Sequence, residues 1–223
     1  YHEHNKAERG PELVERLLGG EDIVVVSDAG MPGISDPGSH LVQLAIEAGI
    51  TVTPLPGANA ALAALVCSGL DTTLFTFIGF LPKTNKKRRE LIAGLANYPS
   101  TLVFYESPHR LKETLIELAE GLGDRPAVAA RELTKKFEQF VRGTLSSLQD
   151  YFSNNEPRGE FTLVIAGNAN PAETPANMEQ VPLNEAVLAL VAAGMDKKSA
   201  IRAVAAERGL SRRTVYQALI HAE

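Results

Sequence analysis

The chain has 223 residues, 44% of them hydrophobic, with a formal net charge of -5 and a mean hydropathy of -0.05, which reads as soluble, globular and long enough for two modest domains. Its longest apolar stretch, Ala58 to Val66, is interrupted by Asn59 and too short to cross a bilayer. The single cysteine, Cys67, excludes an internal disulfide and a cysteine metal cluster, is expected as a small core residue, and favours a reducing, cytoplasmic setting.

Strand-like runs recur at Ile23 to Ser27, Thr51 to Leu55, Leu74 to Gly79, Thr101 to Glu106, Ala127 to Leu133, Gln139 to Gly143 and Phe161 to Gly167, with helical patterns between most of them. That alternation predicts an α/β fold. Between the first two runs, Leu41, Leu44, Ala45 and Ala48 fall at helical spacing, so the pair is expected to form a parallel βαβ unit with Asp36 as N-cap and Pro37 at the first helical position. The short connection around Thr134 to Glu138 suits an antiparallel pair, so the second half is expected to hold a mixed sheet. Tyr1 in place of an initiator Met, and an opening without a strand, point to a preceding segment. A boundary is expected near Gly69 to Thr73. Asn168 to Pro182, with three Pro and three Asn, reads as a linker to a separate tail.

Charge is uneven along the chain. From Leu183 to Glu223, six basic residues face four acidic ones, a local +2 that leaves -7 for the remainder. The stretch Lys198 to Leu219 has the pattern helix, Gly turn, Ser211 as N-cap, second helix, which is helix-turn-helix spacing. Its second helix is expected to expose Arg212, Arg213 and Gln217 while Val215 and Leu219 face inward. A second basic knot comprises Lys83, Lys86, Lys87, Arg88 and Arg89. Either cluster reads as a nucleic-acid contact or, more plainly, as a solvated helix face.

Four strand ends carry candidate chemistry. Ser27 to Gly38 holds Gly30, Gly33 and Gly38 but neither the Gly-Lys-Ser/Thr of a phosphate loop nor the Gly-x-Gly-x-x-Gly of a dinucleotide site. A ligand without a dominant phosphate fits better: Asp28 can accept from a ribose diol or an amine, and the glycines let backbone approach closely. Pro56-Gly57-Ala58-Asn59 repeats that logic at the next strand end, although small residues there equally permit tight helix packing. Tyr105 to Arg110 offers Glu106 or His109 as a proton acceptor and Arg110 for a phosphate or carboxylate, against the plainer reading of a surface ion pair and a water-facing His. Arg131, Glu132 and Lys135 end the next strand, where an internal Arg-Glu pair is the plainer reading. The five His residues have no metal-ligand spacing, so no metal is expected.

Taken together, Ser-Asp-Ala-Gly-Met-Pro-Gly-Ile-Ser-Asp-Pro-Gly, Pro-Leu-Pro-Gly-Ala, Gly-Phe-Leu-Pro, Phe-Tyr-Glu-Ser-Pro-His-Arg, Ala-Arg-Glu-Leu-Thr-Lys and Gly-Glu-Phe-Thr-Leu-Val-Ile resemble the ribosomal RNA small subunit methyltransferase I family, within the tetrapyrrole methylase superfamily. The resemblance runs from Tyr1 to about Gly167, and the tail is similar to that family's helix-turn-helix-like domain. It implies a two-domain α/β fold, with a parallel-rich first sheet and a mixed second sheet, plus a small helical carboxyl-terminal domain. The expected divisions are residues 1–70, 71–167, a linker 168–182 and 183–223. It further implies a cytoplasmic homodimer that uses S-adenosylmethionine to methylate the ribose 2′-hydroxyl of a cytidine in the decoding region of 16S rRNA in the 30S subunit.

By position, Asp28, Ala29, Gly30 and Ile34, with Gly57, Asn59 and Ala61, would line the cofactor. Arg131, Glu132, Leu133, Phe161 and Thr162 would close the other side. Glu106 or Glu132 would accept or orient the substrate proton. Lys83, Lys86, Lys87, Arg88, Arg89, His109, Arg110, Lys135, Arg212 and Arg213 would meet RNA. Two departures stand out: Met31 replaces a usual Thr, and the family's amino-terminal strand with its Pro-x-Gly-Asn-Leu loop is missing, which would leave a sheet edge exposed. The rival readings are a corrinoid or porphyrin C-methyltransferase of the same superfamily and a non-catalytic RNA-binding module.

Overall fold

The computed structural model describes residues 1–36, 38–169, 182–192 and 195–220; the side chains of residues 207 and 220 are outside the description. Two compact units emerge, Tyr1–Pro171 and Ala172–Glu223. The expected boundary at Gly69 to Thr73 therefore falls inside one unit. Most of the expected linker, and Pro37, lie outside the described residues.

The first unit is built on a five-stranded sheet: β1 (Phe75–Phe80), β2 (Thr101–Glu106), β3 (Pro126–Arg131), β4 (Gln139–Thr144) and β5 (Phe161–Ile165), in the order β1-β2-β5-β3-β4. β1 and β2 are parallel and every other neighbouring pair is antiparallel, so the sheet is mixed. The register decides which face each residue serves. Leu102, Phe104 and Glu106 pair with Ile165, Leu163 and Phe161, which pair in turn with Ala127, Ala129 and Arg131. All of these point to one face, and the alternate residues Val103, Tyr105, Thr162, Val164, Val128 and Ala130 to the other.

The first face packs against α4 (Asn85–Leu95), α5 (Pro108–Leu122) and α6 (Leu145–Asn154), burying Ile92, Leu95, Leu111, Leu115, Leu118, Leu148 and Phe152 in the larger core. The second face is covered by α3 (Ala60–Ser68), whose Ala61, Ala64 and Leu65 sit on Val103, Val128, Ala130 and Val164. Small residues on both sides allow this close approach. α3 is held at both ends: the Asn59 side chain accepts from Leu62 N–H, and Arg142 donates to the Cys67 carbonyl at 2.6 Å.

Two expected strands are absent as strands. Ile23 to Ser27 and Thr51 to Leu55 form neither helix nor ladder, and no backbone hydrogen bond joins them to each other. Val24 and Val26 are 74% and 81% exposed and Leu55 73%. β-branched composition encodes a preference for pleated surface, but a strand exists only where a partner supplies the other half of each hydrogen bond. The helix between them is present as α2 (Gly38–Glu47), and it packs on α1 (Lys6–Leu18), a helix not among the expected elements. Gly10 makes this contact possible, since a Cβ there would lie 2.7 Å from Leu44 Cδ1 and 3.0 Å from His40 Cε1. Cys67 is exposed rather than buried, because α3 turns its other side to the sheet.

The second unit holds α7 (Leu183–Ala192), α8 (Lys197–Glu207) and α9 (Arg212–Ile220) around Val187, Ala200, Val204, Val215 and Leu219. Asp196 caps α8 and Ser211 Oγ accepts from Thr214 N–H at the start of α9, with Gly209 at φ 61 in the turn. Arg212, Arg213 and Gln217 are exposed while Val215 and Leu219 are buried. Among the described residues no helix is long and apolar enough to cross a membrane, and no group of three His, Cys, Asp or Glu side chains is placed to hold a metal.

Candidate active site

Tyr105, at the carboxyl end of β2 on the α3 face, is where several loops meet. Its hydroxyl oxygen accepts from Ala61 N–H at 3.3 Å, one of the amides left open at the start of α3. Phe77 and Phe80 of β1 flank the ring at 5.0 and 5.6 Å between centroids. Burial pushes the Tyr105 phenol up, and the negative charge of Asp36 adds to the shift. The loop carrying Asp36 also reaches β1: a Cβ on Gly79, at φ 73, would lie 3.2 Å from Ser35 Oγ. Gly30, likewise at φ 73, places its Cα where a Cβ would lie 3.5 Å from the Ala58 carbonyl oxygen. The loop 27–36 and the loop 56–59 thus approach each other to within the reach of a methyl group and converge on the end of the β1–β2 pair.

Asp28, Ala29, Gly30 and Ile34 line the exposed side of the first loop, and Gly57 that of the second; Met31 is half-buried. Ser27 Oγ donates to the carbonyls of Ala29 and Gly30, closing the first turn internally and leaving the Asp28 carboxylate outward. Asn59 is engaged as the α3 cap, and Ala61 is buried with its N–H on Tyr105. Leu133 packs on the same face as Tyr105 and Phe77. This cradle is glycine-lined, has an outward carboxylate and an aromatic wall, and lacks a phosphate-loop motif. Those features fit a ligand with amine, hydroxyl and planar parts.

Strand alternation divides the remaining candidates. Thr162 lies on the Tyr105 face, 4% exposed, whereas Phe161 and Arg131 are paired with each other on the opposite face, Phe161 packed edge-on to Phe152 at 5.5 Å. The side chains of Phe161 and Arg131 are therefore not brought together with the two loops; a period of two places neighbours in a strand on opposite sides.

Both candidate catalytic carboxylates are internally engaged. Glu106, 2% exposed, accepts from Ser107 N–H at 2.7 Å, Ser107 Oγ at 3.4 Å and Thr114 Oγ1 at 2.7 Å. Glu132, at φ 49, accepts from Glu160 N–H at 2.9 Å while its own N–H donates to the Glu160 carbonyl at 3.0 Å. That backbone bond, seconded by the Lys135 ammonium, holds the Glu132 carboxyl below the usual carboxylate range.

The cationic candidates separate in the same way. Arg88 is 3% exposed and bonded to Glu117 and Glu113 of α5, with Glu117 holding its guanidinium above the ordinary range. It ties α4 to α5 and is withdrawn from any nucleic-acid surface; it lies on the helix stripe of Ile92 and Leu95. Arg110 donates to the carbonyls of Leu81 and Pro82, fixing the turn after β1. Lys135 is paired with Glu160 at 2.8 Å and Glu132 at 3.3 Å. Lys83, Lys86, Lys87, Arg89 and His109 are exposed. Sequence reasoning missed Tyr105, Phe77 and Phe80 as site components. Phe77 and Phe80, three residues apart, reach one face only because the ladder slips between Phe77 and Gly79, so a period of two in the sequence could not have grouped them.

Residues 2–149 match the family of tetrapyrrole (corrin/porphyrin) methylases. A ribosomal RNA small subunit methyltransferase I from Synechocystis sp. is 47% identical over 224 residues, covering 100% of this chain and 80% of its own. The chain belongs to the ribosomal RNA small subunit methyltransferase I family. Another relative of that name, from Bacillus subtilis (strain 168), is 44% identical over 220 residues, covering 98% of this chain and 75% of its own. Among solved structures, the methyltransferase CobJ matches with a TM-score of 0.56 at 22% identity over 73% of this chain and 71% of that one, a likeness of fold. This ribosomal RNA small subunit methyltransferase I family member therefore carries the tetrapyrrole methylase fold, and its strand-end cradle around Tyr105 is its candidate active site.

Proposed function

We propose that this protein is a cytoplasmic enzyme that methylates the ribose 2′-hydroxyl of a cytidine in the decoding region of 16S rRNA within the 30S subunit, with S-adenosylmethionine as donor. The observation that carries the reading is the meeting of the loops 27–36 and 56–59 at Tyr105, beside the point where β1 leads into the exposed basic residues Lys83, Lys86, Lys87 and Arg89. S-adenosylmethionine supplies an electrophilic methyl group on a sulfonium and carries no phosphate, which agrees with a cradle lacking a phosphate-loop motif. Asp28 and the backbone around Gly30 are suited to its amine and ribose hydroxyls, and Ile34 with Phe80 to its planar part. The basic residues after β1 attract the RNA backbone.

The reaction needs the ribose oxygen held against the methyl carbon, at about 3–3.5 Å in a near-attack geometry. Tyr105 orients the α3 amides and leaves its own hydroxyl proton to donate. Glu106 and Glu132 act as positioning groups: Glu106 fixes the start of α5, and Glu132 the turn between β3 and β4. What supports this over a proton-accepting role is that both carboxylates already accept bonds from neighbouring backbone amides. A homodimer belongs to the reading, supported by Leu62 and Val66, 48% and 69% exposed on the outer side of a helix that is apolar all round. The test is methyl incorporation from labelled S-adenosylmethionine into unmodified 30S subunits. One ribose-methylated cytidine supports the reading; transfer to a tetrapyrrole ring alone contradicts it.

A further inference from the structure

On the α6 face of the sheet, away from Tyr105 and the two loops, Arg131, Gln139, Asn154, Asn155, Glu156 and Arg158 surround a cavity of about 470 Å³, a size usual for small-ligand sites. Its cations are unspent. Among the described residues, Arg131 Nε is buried without a hydrogen-bond partner, and the guanidinium's one hydrogen bond is a long contact of 3.5 Å with Gln139 Oε1. No carboxylate lies within 4.0 Å of either Arg131 or Arg158 among the described residues, and the one acid of the wall, Glu156, is paired with Lys112 at 3.0 Å. A buried guanidinium edge without an acceptor is costly unless a ligand supplies one.

The wall is also preorganised. Glu132 bonds across to the backbone of Glu160, and Gly159, at φ 78, sits where a Cβ would lie 2.5 Å from Glu132 Cγ. This clamp fixes the segment that presents Arg158. Asn154 and Asn155 donate their amide N–H groups to the Asp150 and Tyr151 carbonyls, so their side-chain oxygens remain as acceptors for hydroxyls. Two guanidiniums that have no carboxylate partner among the described residues, with amide acceptors around them, suit an oxyanion flanked by sugar hydroxyls, and repel a sulfonium.

We propose that this pocket binds a backbone phosphate of the RNA substrate, a contact that sets the strand's position and carries no sequence information. The identity of the phosphate's owner rests on the functional reading above. The full chain is titrated against a fluorescein-labelled single-stranded RNA oligonucleotide of decoding-region sequence across a salt series, with S-adenosylmethionine affinity measured separately by calorimetry. Arg158→Ala removes an exposed side chain and is expected to melt as the parent does. It weakens RNA binding about tenfold, the scale of one charge-assisted bond, lowers the salt slope by about 0.7, as for one phosphate on a single strand, and leaves S-adenosylmethionine affinity unchanged. Arg131→Gln weakens RNA binding as well.

Parental RNA affinity and salt slope in both variants overturn the proposal. So does an equal loss of S-adenosylmethionine affinity in Arg158→Ala, which assigns the pocket to the cofactor. Tighter binding of inorganic phosphate than of the oligonucleotide also overturns it, in favour of a small-anion site. Failure of the parent to methylate 30S subunits, with the RNA-binding difference intact, defeats the functional reading alone and leaves the pocket supported.

Discussion

Glu106→Gln separates a positioning carboxylate from a proton acceptor. The native side chain takes two short bonds, from Ser107 N–H and Thr114 Oγ1, both at 2.7 Å, in a site 2% exposed. The amide keeps its oxygen on Ser107 N–H, and its NH₂ donates to Thr114 Oγ1 once that hydroxyl rotates to accept. What is lost is charge assistance, about 1 kcal/mol for each bond, together with the Arg110 guanidinium 3.8 Å away. A lower desolvation cost for the neutral amide offsets part of this. The net destabilisation expected is about 1–2 kcal/mol, or roughly 3–6 °C in Tm for a chain of this size. Methyl transfer to 30S subunits, assayed well below that Tm, should fall by less than about tenfold. Removing a general base would cost about 10²–10⁴ in rate. A rate loss of a hundredfold or more with unchanged thermal stability refutes the positioning role.

Arg88→Ala strands Glu117 in a buried site and should cost about 3 kcal/mol in chemical denaturation, whereas Arg89→Ala should stay within about 0.5 kcal/mol and weaken RNA binding; equal stabilities for the two would contradict the division of the basic cluster. Gly159→Ala combines a left-handed backbone with a Cβ 2.5 Å from Glu132 Cγ, so it should cost more than the roughly 1–2 kcal/mol of the backbone alone, read from the denaturation midpoint. Because the Glu132 carboxyl is held below the ordinary range by Glu160 N–H and Lys135, its stabilisation is complete above that range and is lost as pH falls through its lowered value. Glu132→Gln should therefore flatten the acid limb of the stability profile; parallel acid limbs in parent and variant would contradict this.

Much of the mixed sheet was legible because its strands carry their own bounds: Thr101 to Glu106 coincides with β2, and the other four lie within a few residues of their runs. The period of two also contained the division between Phe161 and Thr162, but which face meets the ligand loops depends on where α3 packs, a long-range fact. Ile23 to Ser27 and Thr51 to Leu55 show the limit of composition, since pairing is a property of the partner as much as of the run. The amphipathic α1 carried a periodic signal, with Leu13, Val14, Leu17 and Leu18 at helical spacing, but Gly10 and Pro11 in its first half masked it as a helix. Arg88 was hidden inside a charge run, although its helical spacing to Ile92 and Leu95 marks it as core-facing. Tyr105 was visible as a residue and silent as a site, because its role comes from Ala61, Asp36, Phe77 and Phe80 meeting around it.

The central claim, that this chain methylates one ribose in small-subunit rRNA, is tested most directly by incubating it with unmodified 30S subunits and labelled S-adenosylmethionine and mapping the product by mass. The account predicts a single methyl group on the ribose of one decoding-region cytidine in 16S rRNA. A methyl group on a base, or none on the rRNA while a tetrapyrrole is methylated, would contradict it.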